Sequence, residues 1–254
     1  MRELEGKVSF VTGGTSGIGE ATVREFVKAG SAVVFTGRRI ERGETLVGEL
    51  SRLGEVRYVC ADVRNDDEMN GAMNTLIDEF GRVDVAFNNA GIFDRDSAFH
   101  EYSRADWLRM LDTNLTSVFH SMQIEIRHML AGGGGCIINN ASTVAHRGSE
   151  RASPAYVAAK HAVLGLTRQA ALEYAQSGIR VNAVSPGPTL TEVTLNSPDL
   201  DPETAALRIG ELNPQARLLN AAEVAKGVVF LASEASSMIN GHSLALDGGQ
   251  LARL

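Results

Sequence analysis

Apolar positions along this chain fall into two alternating rhythms. Short runs rich in β-branched residues, at 8–12, 32–36, 56–60, 83–88, 136–140, 180–185 and 242–246, read as strands. Between them lie longer stretches with apolar residues at helical spacing, at 17–29, 40–53, 66–80, 104–130, 155–176 and 221–232. Strands that are apolar almost throughout and separated by helices predict a parallel sheet covered on both faces, because parallel neighbours need crossover connections. Right-handed crossovers then give a doubly wound, Rossmann-type α/β sheet of about seven strands. No repeat and no Pro- or Ser-rich linker divides the chain, which predicts one domain over residues 1–254.

Two stretches break the rhythm. Residues 132–135 are four consecutive glycines, a turn between a helix and the next strand. Residues 186–220 carry Pro and Thr with weak helical periodicity, and a connection that long is either functional or mobile. The segment near 188–219, with Pro198, Pro202 and Pro214, is therefore expected to act as a substrate loop that closes over bound ligands.

Composition narrows the classes. Hydrophobic residues make up 44% of 254 and charged residues 22%, enough for a packed core and too apolar for disorder. A net charge of −7 gives no electrostatic reason to expect nucleic acid or an anionic membrane as partner. The first residues carry Arg2, Glu3 and Glu5 where a signal peptide needs an apolar stretch, and no segment approaches the ~20 apolar residues of a membrane span. Cys60 and Cys136 sit in apolar runs without a His or Cys at metal spacing, and read as small buried hydrophobes in a reducing compartment. A cytoplasmic location follows as the expectation. Trp107 reads as a helix-face core aromatic.

Chemistry enters after the first strand, at Thr12-Gly13-Gly14-Thr15-Ser16-Gly17-Ile18-Gly19. Glycines there let the backbone approach a diphosphate, and the following helix offers unpaired N–H groups and a favourable dipole. The spacing is neither G-x-G-x-x-G nor the Gly-Lys-Ser/Thr of a P-loop, so ATP chemistry has no support. Further along, Tyr156 and Lys160 stand four apart on a predicted helix and face one side of it. A phenol with an ordinary pKa near ~10 is a poor acid–base group at neutral pH, and a neighbouring ammonium is expected to bring it down.

These motifs resemble the short-chain dehydrogenase/reductase family, whose glycine signature here is Thr-Gly-x-x-x-Gly-x-Gly. The family's other motifs follow in register over essentially the whole chain: Asn88-Asn89-Ala90-Gly91, Asn114, Ser142, Tyr156-x-x-x-Lys160, Pro186-Gly187 and the ending Asp247-Gly248-Gly249. The resemblance implies an oxidoreductase that interconverts a ketone and a secondary alcohol, with Tyr156 as general acid/base. Ser142 would hydrogen-bond the substrate oxygen, Lys160 would hold the nicotinamide ribose, and Asn114 would keep a water chain that reprotonates the site. Gly13, Thr15, Ser16, Gly17, Ile18 and Gly19 would cradle the diphosphate, with Thr191 beside it. Asp62 and Val63 would flank the adenine, and Asn89, Ala90 and Gly91 the adenosine ribose. Pro186, Gly187 and Thr189 would meet the nicotinamide; Thr189 stands where the family usually has a β-branched apolar residue. For Asp62 the residue pattern alone allows a helix-capping acid, and for Asn114 a helix-interior amide bonded to backbone.

The second strand ends Phe35-Thr36-Gly37-Arg38-Arg39. NAD enzymes of this fold end that strand with an acid for the ribose 2′-hydroxyl. Gly37 supplies none, while Arg38 and Arg39 offer guanidinium forks suited to a 2′-phosphate, so NADP(H) is the expected cofactor and NAD the alternative. The family's other NADP signal, a basic residue before the second motif glycine, is absent at Ser16. The substrate is expected to be a small carbonyl or alcohol. By resemblance, the segments 92–102 and 144–155 line its pocket and bring Asp94, Arg95, Asp96, His100, His146, Arg147 and Glu150, of which His146 reads as a wall or surface residue. A 3-oxoacyl-carrier-protein reductase is the enzymatic rival, weakened because residues 132–135 and Gln176-Ser177 are not basic where such relatives dock an acidic carrier. A catalytically inactive cofactor-sensing protein is the rival of another class; such a module has no need of the proton donor. An extended-family epimerase or dehydratase fits less well, since those chains carry a longer substrate domain and a different glycine spacing. Relatives are commonly homotetramers, and the long helices predicted here have apolar positions to spare for that assembly.

Overall fold

The computed structural model describes residues 2–94, 98–192, 203 and 213–253. Strands Val8–Val11 (β1), Ala32–Gly37 (β2), Val56–Cys60 (β3), Val85–Asn88 (β4), Gly135–Asn140 (β5) and Ile179–Pro186 (β6) join Ser243–Leu246 (β9) in one sheet. Two short strands, Thr189–Leu190 (β7) and Leu219–Asn220 (β8), pair beside it. All pairings are parallel, in the order β3-β2-β1-β4-β5-β6-β9. The helices are Gly17–Lys28 (α1), Ile40–Leu50 (α2), Asp66–Phe80 (α3), Arg104–Leu111 (α4), Ser117–Gly132 (α5), Pro154–Tyr174 (α6) and Ala221–Ala232 (α7). The doubly wound sheet expected from the apolar rhythm is the one found.

Alternation along each strand sends neighbouring side chains to opposite layers. Phe10, Val34, Ala86, Ile137 and Val181 pack with Met73 of α3, Met122 of α5 and Val163 of α6 on one face. Val11, Val33, Phe35, Phe87 and Ile138 pack with Phe26 of α1, Leu46 of α2 and Val228 of α7 on the other. Two greasy layers thus clamp the sheet, and its strand ends are left to carry polar work.

Three expectations change. The stretch 104–130 is not one helix: residues Asp112–Thr116 form a π-helical turn between α4 and α5. Cys60 is exposed, because β3 is the edge strand and its last position turns to solvent, while Cys136 is buried as expected. Trp107 is only half-buried, and Met110 takes the core position on α4. The expected substrate loop falls largely outside the described residues, as do Arg95 and Asp96. Among the described residues no helix is long and apolar enough to cross a membrane.

One polar cluster is sealed inside the first layer. Glu125 of α5 is fully buried and accepts a hydrogen bond from Asn88 Nδ2 at 3.0 Å. Asn88 Nδ2 also reaches Asn139 Oδ1 at 3.1 Å, and Asn139 Nδ2 donates to Thr167 Oγ1 at 3.0 Å. Burial pushes the Glu125 carboxyl up to about 8, against a smaller downward pull from Asn88. A carboxyl raised on folding stabilises the fold most at low pH; the contribution declines above the unfolded value near 4.5 and is gone once pH passes about 8. Glu125→Gln, uncharged at every pH, is therefore expected to remove this slope. The check is urea denaturation of both proteins from acid to alkaline pH. The wild type should lose up to a few kcal/mol relative to the variant across that window. Parallel pH profiles for the two proteins would overturn the assignment.

Candidate active site

Between β1 and β4 the strand order reverses, so the loops leaving their carboxyl ends part and open a crevice. Gly13 takes a left-handed φ of 66°, and a Cβ there would lie 2.8 Å from Ala90 Cα. The glycine is thus required by the neighbouring strand as well as by the turn. Thr12 Oγ1 accepts from the N–H groups of Asn89 and Ala90 at 3.0 and 3.2 Å. In return Asn89 Nδ2 donates to Thr12 O at 3.2 Å and Gly13 O at 3.1 Å. The glycine turn then runs into α1, whose first N–H groups face the crevice.

The crevice is a cleft of about 790 Å3, a volume suited to a cofactor with part of a substrate. Gly13, Thr15, Ser16, Gly17, Ile18, Arg38, Arg39, Asp62, Val63, Asn89, Ala90, Gly91 and Thr191 line it on the side of the glycine turn, and Ser142, Tyr156, Lys160, Pro186, Gly187 and Thr189 on the other. Two expected residues do not line it. Gly19 is buried against the Gly13 carbonyl, where a side chain has no room. Asn114 is buried in the π turn, with Oδ1 accepting from Ile92 N–H at 2.8 Å and Nδ2 donating to Ile92 O at 2.8 Å. Its amide holds the chain just past Gly91, the backbone-bonded alternative of the sequence reading, and the same turn brings Thr113 to the cleft wall.

Ser142 sits where β5 ends, half-buried, its hydroxyl accepting from Val144 N–H at 3.3 Å. Ser153 caps α6 by accepting from Tyr156 N–H at 3.2 Å, and Pro154 occupies the first turn, where its missing N–H costs nothing. One turn on, the buried Lys160 ammonium donates to the Asn140 carbonyl at 2.6 Å and stands 5.7 Å from the centre of the Tyr156 ring. Phe93 meets that ring edge-on, centroids 5.0 Å apart.

The expected lowering of Tyr156 by Lys160 is not what the protein alone produces. Burial pushes the phenol up to about 12, and only the Ser142 hydroxyl hydrogen-bonded to it pulls the other way. Burial also brings the Lys160 ammonium down to about 8. At 5.7 Å, and itself desolvated, the ammonium does not outweigh the loss of water around the phenol. The pair therefore rests as neutral phenol and a weakly held ammonium proton.

At the far end Arg38 is largely exposed and stands 3.8 Å from Asp62, whose carboxylate is taken mainly by Arg64 at 2.6 Å and is held down at about 2 by it. The cap of α3 is Asn65, so Asp62 is no helix cap. Arg39 donates to the Ser16 hydroxyl and, at 3.0 Å, to Glu192. A Cβ at Gly37 would lie 2.6 Å from the Thr15 methyl, so a carboxylate has no room there.

Among the pocket charges, Asp94 accepts from the Tyr102 hydroxyl at 2.7 Å and pairs loosely with Arg109, which does line the cleft. His146 lies away from it, between the Ser185 and Ser243 hydroxyls at 3.1 and 3.2 Å. Asn140 lines the cleft without having been among the expected residues, while Phe93 and Glu192 fall inside the expected segments 92–102 and 188–219 without having been singled out there. Asn140 stands two residues before Ser142, a usable signal; within the two segments only the fold selects Phe93 and Glu192 for the cleft. The residues fit a nicotinamide dinucleotide. The glycine turn leaves the backbone bare, Lys160 has donors beyond its bond to Asn140, and the buried Asn140 Oδ1 lacks a partner among the described residues.

Comparison with known proteins agrees. The family model described as enoyl-(acyl carrier protein) reductase matches residues 13–250. The chain is 37% identical to cyclohexanol dehydrogenase of Acinetobacter sp. (strain SE19), over 97% of this chain and 95% of that one. It is 40% identical to cis-4-hydroxycyclohexanecarboxylate dehydrogenase of Sinomonas cyclohexanicum, over 97% of each. The crystal structure of levodione reductase superposes with a TM-score of 0.92 at 33% identity, covering 99% of this chain and all of that one. Matched by these relatives along nearly its whole length, this chain belongs to the short-chain dehydrogenase/reductase family, and is an oxidoreductase that interconverts ketones and alcohols.

Proposed function

We propose that the chain is an NADP(H)-dependent enzyme for a ring ketone and its secondary alcohol, with Tyr156 as the proton donor. The observation that carries this reading is the convergence of Ser142, Tyr156 and Lys160 on one cleft wall, across from the glycine turn. The nicotinamide, when bound, supplies or accepts the hydride. Tyr156, resting protonated, gives its phenolic proton to the carbonyl oxygen in reduction and recovers one from the hydroxyl in oxidation. Ser142 steadies the developing charge on that oxygen, and Lys160 keeps a cation beside the phenolate while its spare donors hold ribose hydroxyls. Asn114 is a positioning residue that fixes Ile92. The edge-on Phe93 gives the substrate an apolar wall beside the acid, which favours the cyclohexane ring compounds that two relatives' names describe.

NADP(H) is favoured because Gly37 excludes an acid and Arg38 stands largely free at the same end. Arg39, folded onto the Ser16 hydroxyl, places a guanidinium where the loop itself has no basic residue. A carrier-protein substrate fits less well, since α5 ends in glycines and α6 is followed by Gln176 and Ser177. A homotetramer accounts for the exposed Leu108 of α4, Phe119 and Leu130 of α5 and Leu172 of α6, which otherwise face water.

Three outcomes test these statements. On a panel of cyclic ketones and alcohols followed at the nicotinamide absorbance, Tyr156→Phe should lower kcat by roughly 10²–10⁴-fold with cofactor affinity nearly intact. Wild-type turnover in that variant would remove Tyr156 from its role, and a wild type inert with both cofactors would favour a sensing module. Arg38→Ala should raise KM for NADPH roughly 10- to 100-fold while leaving that for NADH little changed. A wild-type preference for NADH, or unchanged discrimination in the variant, would show that the arginine is only a solvated charge. Light scattering at micromolar concentration should give the mass of four chains; an active single chain would refute the assembly.

A further inference from the structure

Glu192 is not part of any motif, yet it reaches across the cleft mouth to two arginines. It follows Thr191, whose methyl would lie 3.2 Å from a Cβ placed at Gly17, so β7 delivers it to the rim of the glycine turn. From there Oε2 accepts from Arg39 Nη1 at 3.0 Å and Oε1 accepts from Arg42 Nη1 on α2. Arg39 is thereby bound twice, to Glu192 and to the Ser16 hydroxyl. Arg38 by contrast has only a 3.8 Å approach to Asp62, a carboxylate already occupied by Arg64. Both Arg39 and Glu192 line the cleft at the end where the 2′ position of an adenosine ribose belongs.

We infer that Glu192 is an internal competitor for the cofactor's 2′-phosphate, a specificity-determining residue that holds Arg39 with its own carboxylate and so tempers the preference for NADP(H). The inference rests on the NADP(H) reading above. A carboxylate and a phosphate monoester are interchangeable partners for a guanidinium fork, and two anions cannot share one fork without repulsion. When the phosphate takes Arg39, Glu192 keeps Arg42 or yields to water. A cofactor with a bare 2′-hydroxyl leaves the carboxylate and both arginines undisturbed. The pull of Arg42 and then Arg39 holds the Glu192 carboxyl below its ordinary value, so the competitor is charged at every working pH. The pairs are half-exposed, with side chains 44–50% accessible, so water and salt screen them. Exposed pairs shift an equilibrium by about two- to fivefold, which sets the size of the effect.

The test is calorimetric titration of the protein with adenosine 2′,5′-bisphosphate and with adenosine 5′-monophosphate, which differ by the 2′-phosphate alone. Glu192→Gln should tighten the bisphosphate about two- to fivefold and leave the 5′-monophosphate unchanged. In an Arg39→Ala background the same substitution should give no gain, because the contested fork is gone. Thermal melting confirms that each variant folds. Unchanged affinity for both ligands, equal tightening of both, or a gain that survives Arg39→Ala overturns the competition. So does weaker binding of both, which would make Glu192 a strap over any cofactor. These failures occur with a wild type that still prefers the bisphosphate. A wild type that binds the two ligands alike, with Arg38→Ala and Arg39→Ala indifferent, overturns the NADP(H) reading and this inference with it.

Discussion

The seam where β1 and β4 part is the constraint from which the cleft is built. Strand order reverses there, so two adjacent loop ends lose each other as hydrogen-bonding partners and their polar groups need others. Asn89 answers this by donating to the carbonyls of Thr12 and Gly13 on one side and accepting from Asn140 Nδ2 at 3.0 Å on the other. The Asn140 carbonyl in turn takes the Lys160 ammonium. A single run of side-chain and backbone bonds thus ties the glycine turn to the helix that bears Tyr156. Its members are mostly buried or half-buried, where an unmade bond costs far more than a made one gains. The spacing of the two functional ends is therefore held by polar satisfaction, with the two apolar layers supplying the stability behind it.

Within that frame the electrostatics of the pair are set by dehydration before they are set by charge. Tyr156 and Lys160 each lean toward the neutral form, one upward and one downward, because packing against the protein takes water from both side chains. A site in that condition responds strongly to any charge that arrives beside it, since screening is weak. Preorganisation here consists of a cation that the fold has already paid to bury, bonded to one carbonyl and free to turn its remaining protons elsewhere.

Most of this architecture was legible from residue pattern, because period and motif are local properties. The seven strands and their flanking helices follow from runs such as 56–60, 66–80 and 221–232, which the structure reproduces to the residue. The failures share one cause, dependence on partners distant in sequence. Asn114 could not be placed on Ile92 without the π turn, which leaves no period of its own in a stretch of five residues. Cys60 looks internal in a run of apolar residues and is exposed only because its strand ends at the sheet edge. The rise of the Tyr156 phenol required knowing how deep the helix face lies, and Glu192 acquires meaning only when β7 lays it beside α2.

Crowding between Gly37 and Thr15 has a consequence for how such a protein changes over time. A Cβ at position 37 meets the methyl and hydroxyl of Thr15 at 2.6 and 2.8 Å, and Thr15 is itself buried in the glycine turn. An acid at position 37 is thus reachable only together with a smaller residue at 15, and each change made alone is a loss: one strains the strand end, the other loosens the turn. Change at this pair of positions is then a ratchet rather than a dial. The steric pair sets the order in which its two members can be replaced.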